Sequence, residues 1–147
     1  MTGVLVDSNV ILDLFLDDPN WADWSEAALA DVSRRSTLCI NQIVYTEVSI
    51  AFEKIEELEA ALHHGGFQML EIPKEALFLA GKAYLNYRRG KGTKQSPLPD
   101  FYIGAQAAVL GMDLITRDED RYRTYFPTVK IICPGRSRKD DIKIFRT

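Results

Sequence analysis

The sequence is poor in the residues that carry thiol, imidazole or soft-metal chemistry. It has two cysteines and two histidines in 147 residues. Cys39 and Cys133 form no CxxC pair and have no histidine at ligand spacing, so a zinc-type site is not expected. Both lie in short apolar segments, which is typical of reduced thiols in a core. His63 and His64 are adjacent, so they do not face one site on a helix.

Long apolar runs and an excess of positive charge are also missing. No apolar stretch approaches the roughly 20 residues of a membrane-spanning helix, and the first residues have a strand pattern rather than that of a signal peptide. We therefore expect a cytoplasmic protein that makes no membrane contact. The net charge of −3 argues against binding nucleic acid by bulk electrostatics alone. A nucleic-acid enzyme is still compatible with it, because an acidic metal site lowers the total while basic patches stay local.

Apolar segments of strand length alternate with longer segments of helical pattern. Strands are expected at about 3–7, 37–40, 67–72, 112–116 and 129–133, and helices at about 10–16, 21–34, 42–52, 55–64, 74–89 and 99–110. Asn41 is the expected N-cap of the third helix. Helices between successive strands imply crossover connections, and hence an α/β domain with a mostly parallel sheet covered on both faces.

Two aspartates follow strands whose carboxyl ends are expected to meet. Asp7 is the first residue past the first apolar run, and Asp118 lies two residues beyond Thr116. Ligands of an open parallel sheet bind beyond the carboxyl ends of the strands, where the strand order reverses. If the first and fourth strands are neighbours there, the two carboxylates share one cleft. The alternatives are that Asp7 caps the helix beginning near Asn9, and that Asp118 is a turn residue whose role Asp120 takes.

Glu47 and Asp100 are contributed by helices. Four apolar residues lie within about 60° of Glu47 around its helix, namely Ile43, Val44, Ile50 and Ala51. This face should pack on the sheet, so a carboxylate there needs a partner. Asp100 falls in the first turn of its helix, where free amide groups and the helix dipole favour the ionised form. The alternatives are an arginine partner or a snorkelling side chain for Glu47, and an ordinary first-turn acid at Asp100.

Four carboxylates in one cluster would raise each other's pKa by mutual repulsion. A hard divalent cation removes that penalty, polarises a phosphoryl oxygen and lowers the pKa of a coordinated water. The oxygen-only donor set therefore predicts Mg²⁺, with Mn²⁺ as a substitute, and phosphodiester chemistry. An EF-hand around Asp118 is excluded, because Arg123 stands at the position that such a loop reserves for glycine.

Four segments match the motifs of a known family in order and spacing. They are Val6–Leu12 (VDSNVIL), Asn41–Glu47 (NQIVYTE), Pro99–Ala107 (PDFYIGAQA) and Leu114–Asp118 (LITRD). With these motifs the chain resembles the PIN-domain nucleases, and among them the VapC-type toxins of bacterial and archaeal toxin–antitoxin pairs. The resemblance spans roughly residues 3–133. We therefore expect a PIN-like nuclease domain at 1–134 and a C-terminal tail of unassigned role at 135–147.

The resemblance implies a three-layer α/β sandwich with a five-stranded parallel sheet in the order 3-2-1-4-5. It also implies an Mg²⁺-dependent endoribonuclease that forms a homodimer and is inhibited by a small cognate antitoxin. The acidic quartet that would bind the metal and carry catalysis is Asp7, Glu47, Asp100 and Asp118. Asn9 and Thr116 match supporting polar positions. In that strand order Cys39 and Cys133 lie roughly 14 Å apart, too far for a disulfide.

A basic segment before Asp100 is a candidate for RNA contact. Its members are Arg88, Arg89, Lys91 and Lys94, and Tyr84 and Tyr87 share the region. Arginine and lysine would contact RNA phosphates near the metal, and aromatic rings would stack with bases. The alternative is a solvated helix end whose positive charges interact favourably with the helix dipole.

We therefore expect a metal-dependent endoribonuclease that acts as the toxin of a toxin–antitoxin pair. Two alternatives stay open, a housekeeping RNA-processing nuclease of the same family and a non-catalytic RNA- or protein-binding module on the same fold. A phosphotransferase of the phosphatase or receiver type also carries an aspartate after its first strand. It is disfavoured because Asn9 stands where such phosphatases carry a second aspartate.

Overall fold

The computed structural model describes residues 3–91 and 98–135. The strands in these ranges are β1 (Gly3–Val6), β2 (Thr37–Ile40), β3 (Phe67–Met69), β4 (Asp113–Ile115) and β5 (Ile131–Ile132). The helices are α1 (Ser8–Phe15), α2 (Ala22–Ser33), α3 (Gln42–Val48), α4 (Ile55–His64), α5 (Lys74–Lys91), α6 (Leu98–Leu110) and α7 (Glu119–Tyr125). A short 3-10 helix, Ser49–Ala51, follows α3 directly.

The five strands form one sheet in the order β3-β2-β1-β4-β5, and every pairing is parallel. The predicted fold class and strand order are confirmed. Strand β1 is central and pairs with β2 on one side and β4 on the other. Since the chain order reverses across β1, the carboxyl ends of β1 and β4 flank the crevice where such sheets bind ligands.

Both faces of the central strand are covered. All four residues of β1 are buried, and successive side chains of a strand point to opposite faces. The continuous apolar run at the start of the chain is thus explained by helices packed on the two sides of the sheet. Asn41 caps α3 as predicted, since its side-chain oxygen accepts a hydrogen bond from the amide of Val44 at 2.9 Å.

Aromatic packing fixes α5, α6 and α7 against each other. The ring of Phe101 in α6 is fully buried and lies 5.5 Å from that of Tyr84 and 5.4 Å from that of Tyr125, between centroids. Gly104 allows α7 to approach, because a Cβ there would overlap the ring of Phe126. This packing holds the first turn of α6, with Asp100, close to α7.

Two helix predictions were wrong, and β3 ends at Met69 rather than at residue 72. The third helix was expected to run to residue 52, but α3 ends at Val48 and the chain continues as the 3-10 helix. Helix α7 was not expected at all. Its sequence, Glu119–Tyr125, is short and mostly polar, so it has no apolar stripe at helical spacing. Tyr122 nevertheless anchors it, since this side chain is completely buried.

The cysteines are separated as expected. Cys39 lies on β2 and Cys133 directly after β5, with β1 and β4 between them, and both are free, buried thiols. Among the described helices, none is both long and apolar enough to cross a bilayer. The C-terminal tail lies outside the described residues from position 136 onward.

Candidate active site

Asp7 lies at the centre of the crevice between β1 and β4. Its backbone amide donates to the carbonyl of Ile115 at 2.9 Å, so the strand pairing holds it at the carboxyl edge of the sheet. Its side chain is buried and accepts three short hydrogen bonds. Oδ1 accepts from the Ser8 amide at 2.7 Å, and Oδ2 accepts from the hydroxyls of Thr116 at 2.8 Å and Tyr122 at 2.9 Å. Asp7 is thus also the N-cap of α1.

Asn9 and Thr116 support this carboxylate. The Thr116 hydroxyl donates to Asp7 and accepts from the Asp118 amide at 3.0 Å, which ties the residues after β4 to the end of β1. The Asn9 amide group lies 3.5 Å from both Asp7 Oδ2 and the Thr116 hydroxyl. Its carbonyl oxygen accepts from the Arg117 amide at 3.3 Å. The two predicted supporting residues therefore contact Asp7 and connect it to the loop before α7.

Glu47 points toward the same edge, although not from the expected helix face. Its Oε1 accepts a hydrogen bond from the Ser8 hydroxyl at 2.7 Å, so its partner is a neutral hydroxyl rather than an arginine. The buried side of α3 carries Val44 and Val48, whereas Ile50 is 75% exposed. The predicted buried face is confirmed at Val44 and wrong at Ile50, because α3 ends before Ile50. Glu47 is half-buried at the margin of the packed face.

Asp100 and Asp118 complete the acidic edge. Asp100 lies in the first turn of α6 and is half-buried, while Asp118 is exposed and directly precedes α7. Burial holds the pKa of Tyr122 well above its usual value. The charges of Asp7, Asp100 and Asp118 act on its hydroxyl and raise the pKa further. Three of the four predicted acids thus lie within electrostatic range of one phenol. Asp120, the competing acid, is exposed on α7.

The environment of Asp7 disfavours its ionised form. Burial raises the pKa of the Asp7 carboxyl above the ordinary value, and the charge of Glu47 raises it further. The hydrogen bonds from Thr116 and Tyr122 oppose this effect without cancelling it. Among the described side chains, none forms an ion pair with Asp7. The negative charge of such a buried carboxylate is not compensated by these neutral donors, and a bound cation would compensate it.

Sequence reasoning missed a second buried acid beside this site. Asp13 of α1 is 2% exposed and accepts two hydrogen bonds from Arg117, from Nε at 2.8 Å and from Nη2 at 3.0 Å. The Ser25 hydroxyl donates to it at 2.7 Å. An acid inside the apolar stretch of α1 was the available signal. Ser8 and Tyr122 were missed as well. Tyr122 is one of two tyrosines in the otherwise polar segment Glu119–Tyr125, and this was its only local sign.

The donor chemistry of the edge fits a hard divalent cation. Asp7, Glu47, Asp100 and Asp118 offer carboxylate oxygens, which Mg²⁺ and Mn²⁺ prefer. Within the described residues, no three Asp, Glu, His or Cys side chains are arranged to hold an ion as they stand. The fit therefore rests on charge, because burial and the charge of Glu47 both disfavour an ionised Asp7, and a bound cation would offset both effects.

The predicted RNA-contact residues are placed only in part. Arg88 and Arg89 are exposed near the end of α5 and line a groove of about 630 Å³ together with Gly81, Tyr84 and Leu85. The Arg88 guanidinium lies 6.0 Å from the centroid of the Tyr84 ring. Lys94 and the side chain of Lys91 fall outside the described residues.

The family model of the PIN domain matches residues 4–127, which is most of the chain. This chain belongs to the PIN domain family. PIN domains are generally nucleases. A comparison with curated proteins gives no match.

Several solved structures with the same fold are VapBC toxin–antitoxin complexes. VapBC2 from Rickettsia felis, bound to a promoter DNA fragment, aligns with a TM-score of 0.65 and 16% identity over 87% of this chain and 96% of that one. VapBC-1 from nontypeable Haemophilus influenzae gives 0.65 and 18% over 88% and 96%. DNA-bound VapBC from Salmonella typhimurium gives 0.63 and 21% over 89% and 97%. At these identities the likeness establishes the fold.

Proposed function

We propose that this PIN domain is a metal-dependent endoribonuclease that uses Mg²⁺ or Mn²⁺. The observation that carries the proposal is the environment of Asp7, a buried carboxylate whose hydrogen-bond donors among the described residues are all neutral and whose neighbour Glu47 is acidic. The proposed metal ligands and catalytic acids are Asp7, Glu47, Asp100 and Asp118. Asn9 and Thr116 are the proposed supporting residues, because each contacts Asp7 and the loop before α7.

The reaction would be hydrolysis of an RNA phosphodiester, leaving a 3′-hydroxyl and a 5′-phosphate. A bound Mg²⁺ would supply Lewis acidity for the phosphoryl oxygen and a lower pKa for the attacking water. Thr116 and Tyr122 hold the Asp7 carboxylate in one orientation, and Ser8 holds that of Glu47. Asp118 is exposed and Asp100 half-buried, so a phosphodiester can enter the crevice from their side.

The groove on α5 is the proposed contact for the RNA strand. Arg88 and Arg89 would bind phosphates there, and Lys91 and Lys94 are the further RNA contacts that we propose. Tyr84 lines the groove beside the two arginines and packs on Phe101, the residue after Asp100. The groove therefore lies on the helix that packs against α6, which carries Asp100, and this suits an RNA strand running from the groove to the crevice.

The biological role that we propose is that of a cytoplasmic toxin, active as a homodimer and held inactive by a small antitoxin. Support comes from the fold neighbours, which include a toxin–antitoxin complex from Klebsiella pneumoniae with a TM-score of 0.59 and 21% identity. Induced expression tests this role. We expect the chain to arrest bacterial growth and its Asp100→Asn variant to leave growth normal, whereas equal growth with both would exclude a toxin and favour a housekeeping nuclease.

The nuclease activity itself is tested with purified protein and RNA. We expect cleavage in Mg²⁺ that stops with a chelator and returns with added Mn²⁺. Asp100→Asn and Asp118→Asn should lose it, while Asp120→Asn, a matched exposed acid two residues further on, should keep it. Cleavage that continues in chelator, or that survives Asp100→Asn in folded protein, would contradict the proposal. RNA binding without turnover in the wild type would point to the non-catalytic module.

A further inference from the structure

Tyr122 has an arrangement that packing alone does not require. It belongs to α7, its side chain is 0% exposed, and its hydroxyl donates to Oδ2 of Asp7 at 2.9 Å. A phenylalanine would fill the same volume without bringing a polar group into the core. Within the described residues, the hydrogen-bond partner of the hydroxyl is the carboxylate at the centre of the candidate site.

The two oxygens of Asp7 accept different numbers of short hydrogen bonds. Each oxygen of an ionised carboxylate has about two acceptor positions. Oδ2 accepts from Thr116 at 2.8 Å and from Tyr122 at 2.9 Å, so both of its positions are occupied by short bonds. Oδ1 accepts one short bond, from the Ser8 amide at 2.7 Å. One acceptor position of Oδ1 is therefore left for another ligand.

The two hydroxyls that bind Oδ2 come from separate parts of the chain. Thr116 follows β4 and Tyr122 lies on α7, so the carboxylate plane is held from two sides. A phenol is protonated at neutral pH, since its ordinary pKa is about 10, and it therefore acts as the donor. Rotating the carboxylate would break both bonds at once inside a buried site, where an unmade hydrogen bond costs about 1–3 kcal/mol.

We propose that Tyr122 is a positioning residue that occupies Oδ2 of Asp7 and thereby presents Oδ1 to the cation. The inference rests on the proposed metal site and deepens it, because it names the ligating oxygen and a residue that selects it. Partners of this kind orient metal ligands in other proteins, and their loss lowers metal affinity or activity about 10–100-fold. A purely structural hydroxyl would change stability and leave the affinity for the ion unchanged.

The test measures Mn²⁺ binding to the full chain by calorimetry, with no substrate present. Tyr122→Phe keeps the ring and removes the hydroxyl, and we expect the dissociation constant for Mn²⁺ to rise about tenfold or more. Tyr125→Phe is the matched control, because it removes a hydroxyl from the same helix and should bind Mn²⁺ like the wild type. Wild-type affinity in folded Tyr122→Phe would overturn the inference, whereas no Mn²⁺ binding by the wild type would overturn the proposed metal site itself.

A second measurement keeps the inference testable if Tyr122→Phe does not fold. In crystals of the wild type grown with Mn²⁺, the ion should contact Oδ1 of Asp7 while the Tyr122 hydroxyl stays on Oδ2. An ion on Oδ2 with the hydroxyl displaced would contradict the inference, even though the metal site itself would then be established.

Discussion

Asp7 and Asp13 are two buried aspartates of the same short helix region, and the fold treats them differently. They are 3% and 2% exposed, one capping α1 and the other within it. Asp13 is paired with the guanidinium of Arg117 through two hydrogen bonds and with the Ser25 hydroxyl. Asp7 is bonded to an amide and two hydroxyls, all of them neutral.

The difference indicates that Asp13 stabilises the fold, whereas Asp7 is available to bind a ligand. The charge of Asp13 is balanced within the protein, by a planar guanidinium that matches a carboxylate. Asp7 has no such partner among the described residues, and Glu47 adds a second negative charge that raises its pKa. Arg117 lies beside both sites, since its side chain binds Asp13 while its backbone amide binds Asn9. Arg117 thus neutralises Asp13 rather than Asp7.

The largest effect is expected for Asp7→Asn. Loss of a metal ligand removes several kcal/mol of transition-state stabilisation, so cleavage of RNA in Mg²⁺ should fall on the order of 10³-fold. The free energy of unfolding in chelator should be equal or higher, because a buried, unbalanced charge is gone. Cleavage rates check the predicted loss of activity, and urea denaturation checks the predicted stability. Retained cleavage, or a marked loss of stability, would assign Asp7 to the same class as Asp13.

Asp13→Ala should show the opposite pattern. It leaves Arg117, which is 27% exposed, without its carboxylate partner, and we expect a loss of about 3 kcal/mol in the free energy of unfolding. The midpoint of urea denaturation should fall with an unchanged slope. Cleavage by the folded protein should decrease far less than in Asp7→Asn. An unchanged midpoint would mean that the pair with Arg117 does not stabilise the fold.

The pH dependence of stability tests the raised pKa of Asp7. The folded-state pKa of Asp7 is raised above the ordinary 3.8 of aspartate, with burial as the largest cause. Between 3.8 and the raised value the folded protein binds a proton more tightly than the unfolded chain, so its stability rises as the pH falls. In chelator, the deficit of wild type relative to Asp7→Asn should therefore shrink from neutral pH toward about pH 4. A deficit that is constant or widens would contradict the raised pKa.

The smallest effect is expected for Arg117→Lys. Lysine retains the positive charge but cannot make the two parallel hydrogen bonds of a guanidinium, and a loss of about 1 kcal/mol is expected. Thermal unfolding measures it. Cleavage in Mg²⁺ should stay near that of the wild type, because the backbone amide that binds Asn9 is unchanged. A loss of stability as large as that of Asp13→Ala would mean that bidentate geometry, rather than charge, stabilises Asp13.

Local sequence patterns predicted the elements that supply the acids. The apolar run of β1 ends at Asp7 and that of β4 just before Thr116, and this periodicity predicted parallel strands with acids at their carboxyl ends. The strand order 3-2-1-4-5 came from the family resemblance, because alternation of strands and helices does not specify which strands are neighbours. Asn41 was predictable because capping depends on residues only three positions apart.

What the sequence did not predict depends on distant contacts. Asp13 and Arg117 are 104 positions apart, and Asp7 and Tyr122 are 115 apart, so neither pair leaves a local pattern. Helix α7 was missed because tertiary burial of Tyr122, rather than an apolar stripe, stabilises it. The exposed position of Ile50 reflects the early end of α3, which the propensities of its residues do not indicate.

The central claim is that the Asp7 carboxylate binds a cation. Its most direct test is to measure the unfolding of wild type and Asp7→Asn with and without Mg²⁺. A ligand that binds only the folded state stabilises it by about 2.7 kcal/mol at a hundred times its dissociation constant. We predict such a gain, saturable in Mg²⁺, for the wild type and for Asp13→Ala, and none for Asp7→Asn. Equal stabilisation of wild type and Asp7→Asn by Mg²⁺ would contradict the account.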